Sequence, residues 1–428
     1  MSWALVRITV ASLLAVPQVI AAADLRSISS QTADEVSAFG DNLYRTSHFE
    51  DAASAYTRAL EMEPRNIVAL LGMGKIASLL SDHANAAKHF SAAYQAAPLN
   101  PDVILAYAGV VEDRAARTIL LRNFLTLTAR SAASDSRIDD VRARLRVEEQ
   151  LGSRVLSRLE SAYETYRIPL ANLRSGGLVL GARLNNGREL RLIVDTGATG
   201  IVLNAAAASD LQLEYFAPAA LAGFGTQAPV SARVALAATL RAGKLQMSNV
   251  LVNVGDGELV QSADGVVGLD IFKDFLIQLD ARSRNLQLTP FAPTSSNECI
   301  GCVRANRLGH LLLVRGSVNG ATEGYFILDT GSPNTIVSKR LVPPSTHTQV
   351  AFGIQGPQSV AFPPVPVSLR VGAQHILDFQ SAAMDTAEIS ARNGTEIAGA
   401  IGYSVLRDLN LLVDYQHGFV KLGKSRDR

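Results

Sequence analysis

The sequence predicts a multidomain chain in which an all-α helical-repeat region precedes an all-β region built from two similar lobes. Two internal repeats carry this prediction. The short repeat starts at Ala33 and again at Ile67, and the long repeat relates the segment around Asp195 to the segment around Asp329. After Pro169, short alternating apolar runs and turn residues replace helical periodicity. The 428 residues, of which 48% are hydrophobic, suffice for two or three domains that rest on apolar burial.

The composition excludes several classes of function. Forty Lys and Arg balance 39 Asp and Glu, giving a net charge of +1, so we expect no basic surface that would bind nucleic acid. Two cysteines are too few for a four-cysteine metal site, and the seven histidines lack the spacing of metal ligands. We therefore expect no metal and no cofactor.

The segment 1–23 resembles an export signal. Arg7 precedes an apolar run from Ile8 to Ile20, and 21–23 form a run of small residues typical of a cleavage site. We expect 1–23 to be a signal peptide and the protein to be periplasmic or secreted, with an uncleaved membrane anchor as the alternative. Beyond this segment no stretch reaches the roughly 20 apolar residues that a spanning helix needs, so the mature chain should not cross a membrane.

The short repeat places small and aromatic residues at matching offsets in the segments that begin at Ala33 and Ile67. Small residues let two antiparallel helices approach, an aromatic side chain fills the groove between them, and a proline ends the second helix. A third copy from Pro101 has Leu120 where Ala is expected and lacks the closing proline, which indicates a degenerate cap. The matching positions are Val36, Phe39, Gly40, Leu43, Ala52, Tyr56, Ala59 and Pro64, then Leu70, Met73, Gly74, Ala77, Ala86, Phe90, Ala93 and Pro98.

This pattern resembles the tetratricopeptide repeat, which we predict over residues 33–131. Residues 132–168 are expected to form a helical linker that caps the repeats, with Gly152 as a potential break. Its apolar stripe is Val141, Leu145, Leu151, Val155, Leu159 and Tyr166. Two roles remain open for the repeats: a surface that binds a partner or substrate, or a spacer that orients the rest of the chain.

The long repeat contains the residues that are suited to chemistry. Asp195-Thr196-Gly197-Ala198 follows an apolar run, and Asp329-Thr330-Gly331-Ser332 follows a similar run farther along the chain. A second motif, 265–268, returns at the same offset as 399–402. Two copies that share their register with a second motif indicate duplicated lobes. We predict lobe 1 over residues 169–291, a connector over 292–307 and lobe 2 over 308–428.

Two carboxylates can hydrolyse a peptide bond without a metal or a protein nucleophile. A water must lose a proton as it attacks, while the carbonyl oxygen gains one. Carboxyl groups about 3 Å apart cannot both ionise, so they share one proton and present a base and an acid together. Asp195 and Asp329 are the candidates, and Gly197 and Gly331 follow them because a Cβ would collide where the two loops pass.

The paired motifs resemble those of the aspartic peptidases, in particular the retropepsin-like branch with two lobes fused in one chain as in the pepsin family. The resemblance covers about residues 169–428 and implies an acid-protease barrel domain in which each lobe contributes one loop to a shared active site. It also implies that the hydroxyls of Thr196 and Thr330 bond the backbone of the opposite loop.

The residues after the two glycines differ. Ser332 can donate a hydrogen bond to its neighbouring carboxylate, whereas Ala198 cannot. On this basis, Ala198→Ser should lower the upper apparent pKa of the aspartate pair.

Each lobe also contains a glycine-rich hairpin candidate. Lobe 1 has Gly223-Phe224-Gly225-Thr226-Gln227, and lobe 2 has Phe352-Gly353-Ile354-Gln355-Gly356. The resemblance implies flaps that close over an extended peptide, although neither hairpin has the tyrosine of the pepsin flap; an ordinary surface hairpin is the alternative.

The remaining reactive side chains are expected to be structural. Cys299 and Cys302 could form a small disulfide loop in an oxidising compartment. His310 and His375 are interpreted as strand or turn residues. The further aspartates are interpreted as helix caps and strand ends; they are Asp270, Asp274, Asp280, Asp408 and Asp414.

Together these features predict an exported aspartic-type endopeptidase that uses Asp195 and Asp329, with repeats that bind a partner or substrate. One alternative is a catalytically inactive peptidase fold that binds peptides or acts as a scaffold. Another is a self-processing precursor whose repeat region blocks the site until it is removed.

Overall fold

The computed structural model describes residues 32–129, 137–161, 165–174, 176–225, 228–291, 299–320 and 322–424. The expected signal peptide at 1–23 lies outside these residues. The described residues begin with antiparallel helix pairs, and several of these helices start at a side-chain cap such as Thr32, Asn66 or Asp82. These helices are α1 (Ala33–Arg45), α2 (Phe49–Met62), α3 (Ile67–Leu79), α4 (His83–Ala96), α5 (Pro101–Ala108), α6 (Arg114–Thr128) and α7 (Ile138–Leu151).

Aromatic side chains fill the grooves between helices, as the short repeat predicts. Tyr56 is fully buried, and a Cβ built at Gly72 would lie 2.3 Å from its ring. Phe90 lies over Gly74 in the next repeat, where a Cβ would be 2.3 Å from its ring. The glycines thus allow the close approach of neighbouring helices.

The helical linker expected over 132–168 is wrong beyond residue 151. Helix α7 ends at Leu151 because Gly152 turns the chain with a φ of 57°. Leu159 and Tyr166 lie in strands, and Val155 between the helix and these strands is 62% exposed. Their apparent helical stripe therefore arises from a helix and two strands in succession.

Strands form most of the regular structure in the described part of the chain that follows α7. Lobe 1 and the segment before it contain β1 (Arg158–Leu159), β2 (Tyr166–Asn172), β3 (Leu178–Leu184), β4 (Glu189–Asp195), β5 (Ile201–Leu203), α8 (Ala205–Ala208), β6 (Glu214–Leu221), β7 (Val230–Ala242), β8 (Leu245–Gly255), β9 (Gly265–Gly268), a 3₁₀ turn (Leu269–Phe272), β10 (Phe275–Asp280) and β11 (Asn285–Pro290). Lobe 2 and the segment before it contain β12 (Val303–Leu308), β13 (Leu311–Val318), β14 (Thr322–Leu328), β15 (Ile336–Ser338), β16 (Thr348–Gly353), β17 (Gly356–Ala361), β18 (Val367–Val371), β19 (Gln374–Phe379), β20 (Ala382–Met384), α9 (Ala387–Asn393), β21 (Gly399–Ile401), α10 (Tyr403–Leu406), β22 (Leu409–Asp414) and β23 (Phe419–Lys424).

The two lobes repeat one strand arrangement. In lobe 1, β4 runs parallel to β9, which is antiparallel to β5, which is parallel to β8. In lobe 2, the strands β14, β21, β15 and β20 have the same relations. The duplication predicted from the sequence is therefore also a duplication of topology.

One antiparallel sheet joins the lobes, in the order β2, β11, β10, β22, β23, β12. Its centre is the pair β10 and β22, in which Ile277 faces Val413. The expectation that 292–307 is only a connector is wrong from Val303 onward, because those residues form β12 and pair with β23 and β13. This sheet fixes the two lobes relative to each other.

The helices pack against both lobes. Apolar residues of α1 to α3 share a core with β13 and β14, where the ring of Phe49 lies 4.9 Å from that of Tyr325. At the other end, α7 buries Val147 and Leu151 against Phe216 of β6. No helix among the described residues is long and apolar enough to span a membrane.

Candidate active site

Two strand ends bring the predicted aspartates together. Asp195 is the last residue of β4, and Asp329 directly follows β14. Each is held by the parallel neighbour of its strand: Asp195 is in register with Gly268, and the N–H of Asp329 donates to the carbonyl of Ile401. The two carboxyl groups are hydrogen-bonded to each other. The structure thus forms a pair from two residues that belong to different lobes.

The two threonines cross between the loops. The hydroxyl of Thr196 donates to the carbonyl of Leu328 at 2.6 Å and accepts the N–H of Thr330 at 3.0 Å. The hydroxyl of Thr330 donates to the carbonyl of Val194 at 2.8 Å and accepts the N–H of Thr196 at 3.1 Å. Both side chains are buried, so this symmetric set of bonds links the two loops where water does not compete.

The two glycines after the threonines lie against the carboxyl groups of the opposite loop. A Cβ at Gly331 would lie 2.2 Å from Cγ of Asp195, and one at Gly197 would lie 3.0 Å from Cγ of Asp329. Only glycine allows the first of these approaches. The expected collision of a Cβ with the opposite loop is therefore present at both positions, and it is more severe at Gly331 than at Gly197.

The second repeated motif supports the loops from behind. A Cβ at Gly265 or Gly268 would lie 2.1 Å or 2.4 Å from a carbonyl oxygen of the segment 198–202. In lobe 2, a Cβ at Gly399 or Gly402 would meet carbonyl oxygens of 334–336 at 2.2 Å and 2.1 Å. Glycine at both ends lets β9 and β21 pass directly against the segment that follows each aspartate.

Burial and mutual repulsion set the protonation of the pair. Burial raises the pKa of Asp195 well above its usual range, and the neighbouring charge of Asp329 raises it further, although the N–H groups of Gly197 and Gly331 lower it. Burial also raises the pKa of Asp329, but backbone N–H groups and the hydrogen bond from Asp195 lower it. Burial thus raises the pKa of both carboxyl groups, and the repulsion between the two charges adds to this rise for Asp195.

The two loops differ in the backbone N–H groups that each offers to its own aspartate. Oδ1 of Asp329 accepts the N–H groups of Gly331 at 3.1 Å and of Ser332 at 2.9 Å. Oδ1 of Asp195 accepts the N–H of Gly197 at 2.7 Å, whereas the N–H of Ala198 points to the backbone carbonyl of Asp195. In lobe 2 the N–H of Ser332 therefore donates to the carboxyl group of its own loop, whereas in lobe 1 the N–H of Ala198 does not.

The role expected for the Ser332 side chain is wrong. Its hydroxyl donates to the carbonyl of Asn334 at 2.8 Å, away from Asp329. The hydrogen bond from residue 332 to the carboxylate comes from its backbone N–H, which any residue except proline supplies.

The flap candidates are the ends of two hairpins. Strands β6 and β7 form the first and β16 and β17 the second. Thr226, Gln227 and the side chain of Phe352 lie outside the described residues. Whether these hairpins close over a substrate stays a prediction.

The tips of the two hairpins meet. The N–H of Gln355 donates to the carbonyl of Phe224 at 3.0 Å, and the side-chain carbonyl of Gln355 accepts the N–H of Gly223 at 2.8 Å. A Cβ at Gly353 would lie 2.2 Å from the carbonyl oxygen of Phe224. Gly225, at a φ of 129°, lies against the backbone of Gln355. The lobes are therefore linked at these tips as well as through the sheet and the active-site loops.

Two residues for which the sequence predicts only structural roles contact the lobe 1 active-site loop. Asp270 accepts the hydroxyl of Thr199 and the N–H of Gly200, both at 2.8 Å, and so fastens the outer end of the lobe 1 loop. Nε2 of His310, from lobe 2, lies 3.1 Å from the carbonyl oxygen of Gly197. Asp270 had a sequence signal, since it closely follows the repeated glycine motif, but nothing in the sequence places a turn of lobe 2 against the loop of lobe 1.

The remaining predicted site residues lie elsewhere. Cys299 and Cys302 are bonded as a disulfide. Two cavities, of about 540 and 640 Å³, lie between the helices and lobe 2, with Arg315, Glu323 and Tyr325 in both linings. Neither cavity is lined by the aspartate pair.

Comparisons with known proteins agree with the two parts of the chain. Residues 180–271 match the family described as aspartyl protease, and residues 37–101 match the tetratricopeptide repeat family. Among solved structures, the aspartic proteinase from Irpex lacteus is similar, with 13% sequence identity and a TM-score of 0.44 over 61% of this chain and 97% of that one. No curated protein matches this chain. The resemblances to aspartic peptidases and to tetratricopeptide repeats are confirmed, as is the order of helical repeats followed by a β-rich domain.

Proposed function

We propose that this protein is an exported aspartic-type endopeptidase in which Asp195 and Asp329 activate one water molecule between them. The observation that carries the proposal is the partly buried pair of carboxyl groups, which are hydrogen-bonded to each other in two loops that the threonines link. In this mechanism the charged Asp329 side accepts a proton from the attacking water, and the Asp195 side gives its proton to the carbonyl oxygen of the substrate. Neither a metal nor a covalent intermediate is needed.

The test is cleavage of a mixed peptide library between about pH 3 and about pH 8, with products identified by mass spectrometry. We expect cuts within peptides, and loss of those cuts in both Asp195→Asn and Asp329→Asn. Asp210→Asn, which changes an exposed aspartate of lobe 1, is the matched control and should cleave like the parent.

Three outcomes would reject the proposal. Cleavage that survives in both active-site variants would indicate another mechanism, and removal of terminal residues alone would exclude an endopeptidase. A parent protein that binds library peptides without cutting them would instead be the inactive, peptide-binding alternative.

We also propose that the repeats bring a protein substrate or partner to the peptidase. Part of their surface is already used against lobe 2, but apolar side chains remain outside: Leu99 is 74% exposed and Ile119 is 56% exposed. If these residues bind a protein substrate, Leu99→Glu with Ile119→Glu should lower kcat/KM for that substrate and leave a short peptide unaffected. If the double variant cleaves the protein substrate with the same kcat/KM as the parent, the repeats serve only as a spacer.

Export is supported by the leader-like sequence of residues 1–23 and by the Cys299–Cys302 disulfide, a bond typical of oxidising compartments. Determination of the mature N-terminus after expression in a secreting host tests it. A chain that starts at residue 24 is expected, and an uncut chain in the membrane fraction would contradict cleavage.

A further inference from the structure

One side chain of lobe 2 reaches directly into the active-site loop of lobe 1. His310 lies in the turn between β12 and β13 and is partly buried. Its Nε2 lies 3.1 Å from the carbonyl oxygen of Gly197. A carbonyl oxygen can only accept, so Nε2 carries a proton and donates it.

The residue that accepts this bond is central to the pair. The N–H of Gly197 donates to Oδ1 of Asp195 at 2.7 Å, and its Cα faces the carboxyl group of Asp329. The N–H and the carbonyl of Gly197 belong to two successive peptide planes that meet at its Cα, and glycine leaves both connecting torsions free. A bond that holds the carbonyl therefore restrains one of the two planes and limits how far the Cα and the N–H on Asp195 can move.

The other lobe has no equivalent bond at the matching position. The corresponding turn of lobe 1 presents Gly176, where even a built Cβ would lie 3.7 Å from Pro333 and 3.9 Å from Tyr403. The loop of lobe 2 is instead held from within its own lobe, one residue after the Gly331 that matches Gly197, because the N–H of Tyr403 donates to the carbonyl of Ser332 at 2.7 Å. The loop of lobe 1 thus has a carbonyl bonded by a side chain of the other lobe, whereas the loop of lobe 2 has a carbonyl bonded by the backbone of its own lobe.

Charged and titratable groups around His310 come from several elements. Asp270, in the 3₁₀ turn of lobe 1, raises the pKa of His310, but burial lowers it more. Arg307 on β12 donates to the carbonyl of Gly309 in the same turn and lies over the ring of Tyr415, whose buried phenol has a raised pKa. A neutral imidazole with its proton on Nε2 fits this surrounding at neutral pH.

We propose that His310 is a positioning residue, which holds the active-site loop of lobe 1 from lobe 2 so that the Gly197 N–H stays on Asp195. The proposal rests on the proposed peptidase function for its kinetic consequence, but the hydrogen bond itself can be measured without activity. Loss of the bond should let the loop turn and remove a donor from the carboxyl pair.

The kinetic test compares His310→Ala, His310→Gln and the parent on one peptide from the library. We expect His310→Ala to lower kcat by about tenfold, the effect of one lost hydrogen bond on the transition state, with KM unchanged. His310→Gln retains an N–H donor and should recover most of kcat. His375→Ala, at the exposed end of the β18–β19 hairpin, is the matched control.

The second measurement is independent of cleavage. Imidazole ¹⁵N shifts of the parent should show the Nε2-protonated tautomer, and carboxyl ¹³C titrations should show a higher upper apparent pKa of the pair in His310→Ala but not in His310→Gln. These results would support the proposal even if no peptide is cut.

Two results would overturn the positioning role. One is a titration of the carboxyl pair that is identical in the parent and in His310→Ala. The other is an equal loss of kcat in the alanine and glutamine variants, which would indicate a packing role for the ring instead of its N–H.

Discussion

The active-site loops of the two lobes have the same backbone course but different supports. The hydrogen bonds between the two loops are symmetric, because each threonine hydroxyl donates to and accepts from the opposite loop at similar distances. What surrounds each loop is not symmetric. Asp270 and His310 hold the loop of lobe 1, whereas Ser404 and Tyr403 hold the loop of lobe 2.

This difference indicates which parts of a duplicated site are free to diverge. Groups on the pseudo-twofold axis contact their own copies, so a change in one copy alters both loops. Groups farther out contact only one loop, and each lobe can solve the same problem with other residues. An aspartate accepts the N–H of Gly200 in lobe 1, and the hydroxyl of Ser404 accepts the N–H of Thr335 in lobe 2.

The largest expected difference between the lobes concerns their glycines. Gly331→Ala places a methyl group 2.2 Å from Cγ of Asp195, so that carboxyl must move, whereas the methyl of Gly197→Ala has 3.0 Å to Cγ of Asp329. We expect kcat/KM to fall by about 100-fold or more for Gly331→Ala and by about tenfold for Gly197→Ala. Gly257→Ala, where a Cβ meets nothing within 4 Å, is the control. Equal losses in the two lobes would mean that the loops relax independently of these contacts.

In contrast to the glycines, the two threonines should contribute equally to the free energy of unfolding. Thr196→Val and Thr330→Val each remove a hydroxyl that makes two buried hydrogen bonds, and leave a carbonyl and an N–H unpaired. We expect each variant to lower the free energy of unfolding by about 1–3 kcal/mol for each unpaired group, with the same total in both. Urea titrations of the two variants and of the double variant measure this.

The double variant should lose less than the sum of the single losses, because both threonines belong to one network. If one valine substitution lowers the free energy of unfolding clearly more than the other, the two threonines make hydrogen bonds of similar length but contribute unequally to stability.

The aspartates should differ in stability although both are needed for activity. A carboxyl with a raised folded pKa takes up protons on folding, so the parent loses stability as the pH rises from the unfolded value of about 4 through the raised pKa. Asp195→Asn removes this cost and should melt higher than the parent at pH 7, with the gain shrinking towards pH 4. Asp329→Asn should gain less, because the charge of Asp329 raises the pKa of Asp195, whereas the hydrogen bond from Asp195 lowers the pKa of Asp329. A larger gain for Asp329→Asn would reverse the proton assignment.

The internal duplication makes the central residues of the site predictable from the sequence. Asp195 and Asp329, the threonines beside them and the glycine motifs recur in register, so the constraint on one copy is visible in the other. The order of helical repeats and β lobes followed from periodicity in the same way. The helical linker failed because residues beyond Gly152 continued an apolar spacing by chance in two short strands.

Contacts across the lobes were not predictable. His310 reaches Gly197 only because the sheet through β10 and β22 sets the distance between the lobes, and the matching position of lobe 1 is Gly176, which carries no side chain. The direction of the Ser332 hydroxyl was likewise hidden, since a serine after the Asp-Thr-Gly motif can bond either the carboxylate or the loop backbone.

The smallest expected effect follows from that hydroxyl. Because Ser332 donates to the carbonyl of Asn334 and its backbone N–H alone serves Asp329, Ser332→Ala should leave the upper apparent pKa of the pair unchanged and cost at most about 1 kcal/mol of stability. Ala198→Ser should leave that pKa unchanged as well, since a serine there has the same kind of backbone acceptor nearby. Carboxyl ¹³C titrations of both variants beside the parent check this, with His310→Ala as the variant that should move the titration. A fall of the upper pKa in Ala198→Ser would show that a hydroxyl at this position does reach the carboxylate, and that the two loops differ by a side chain instead of by the turn of one peptide plane.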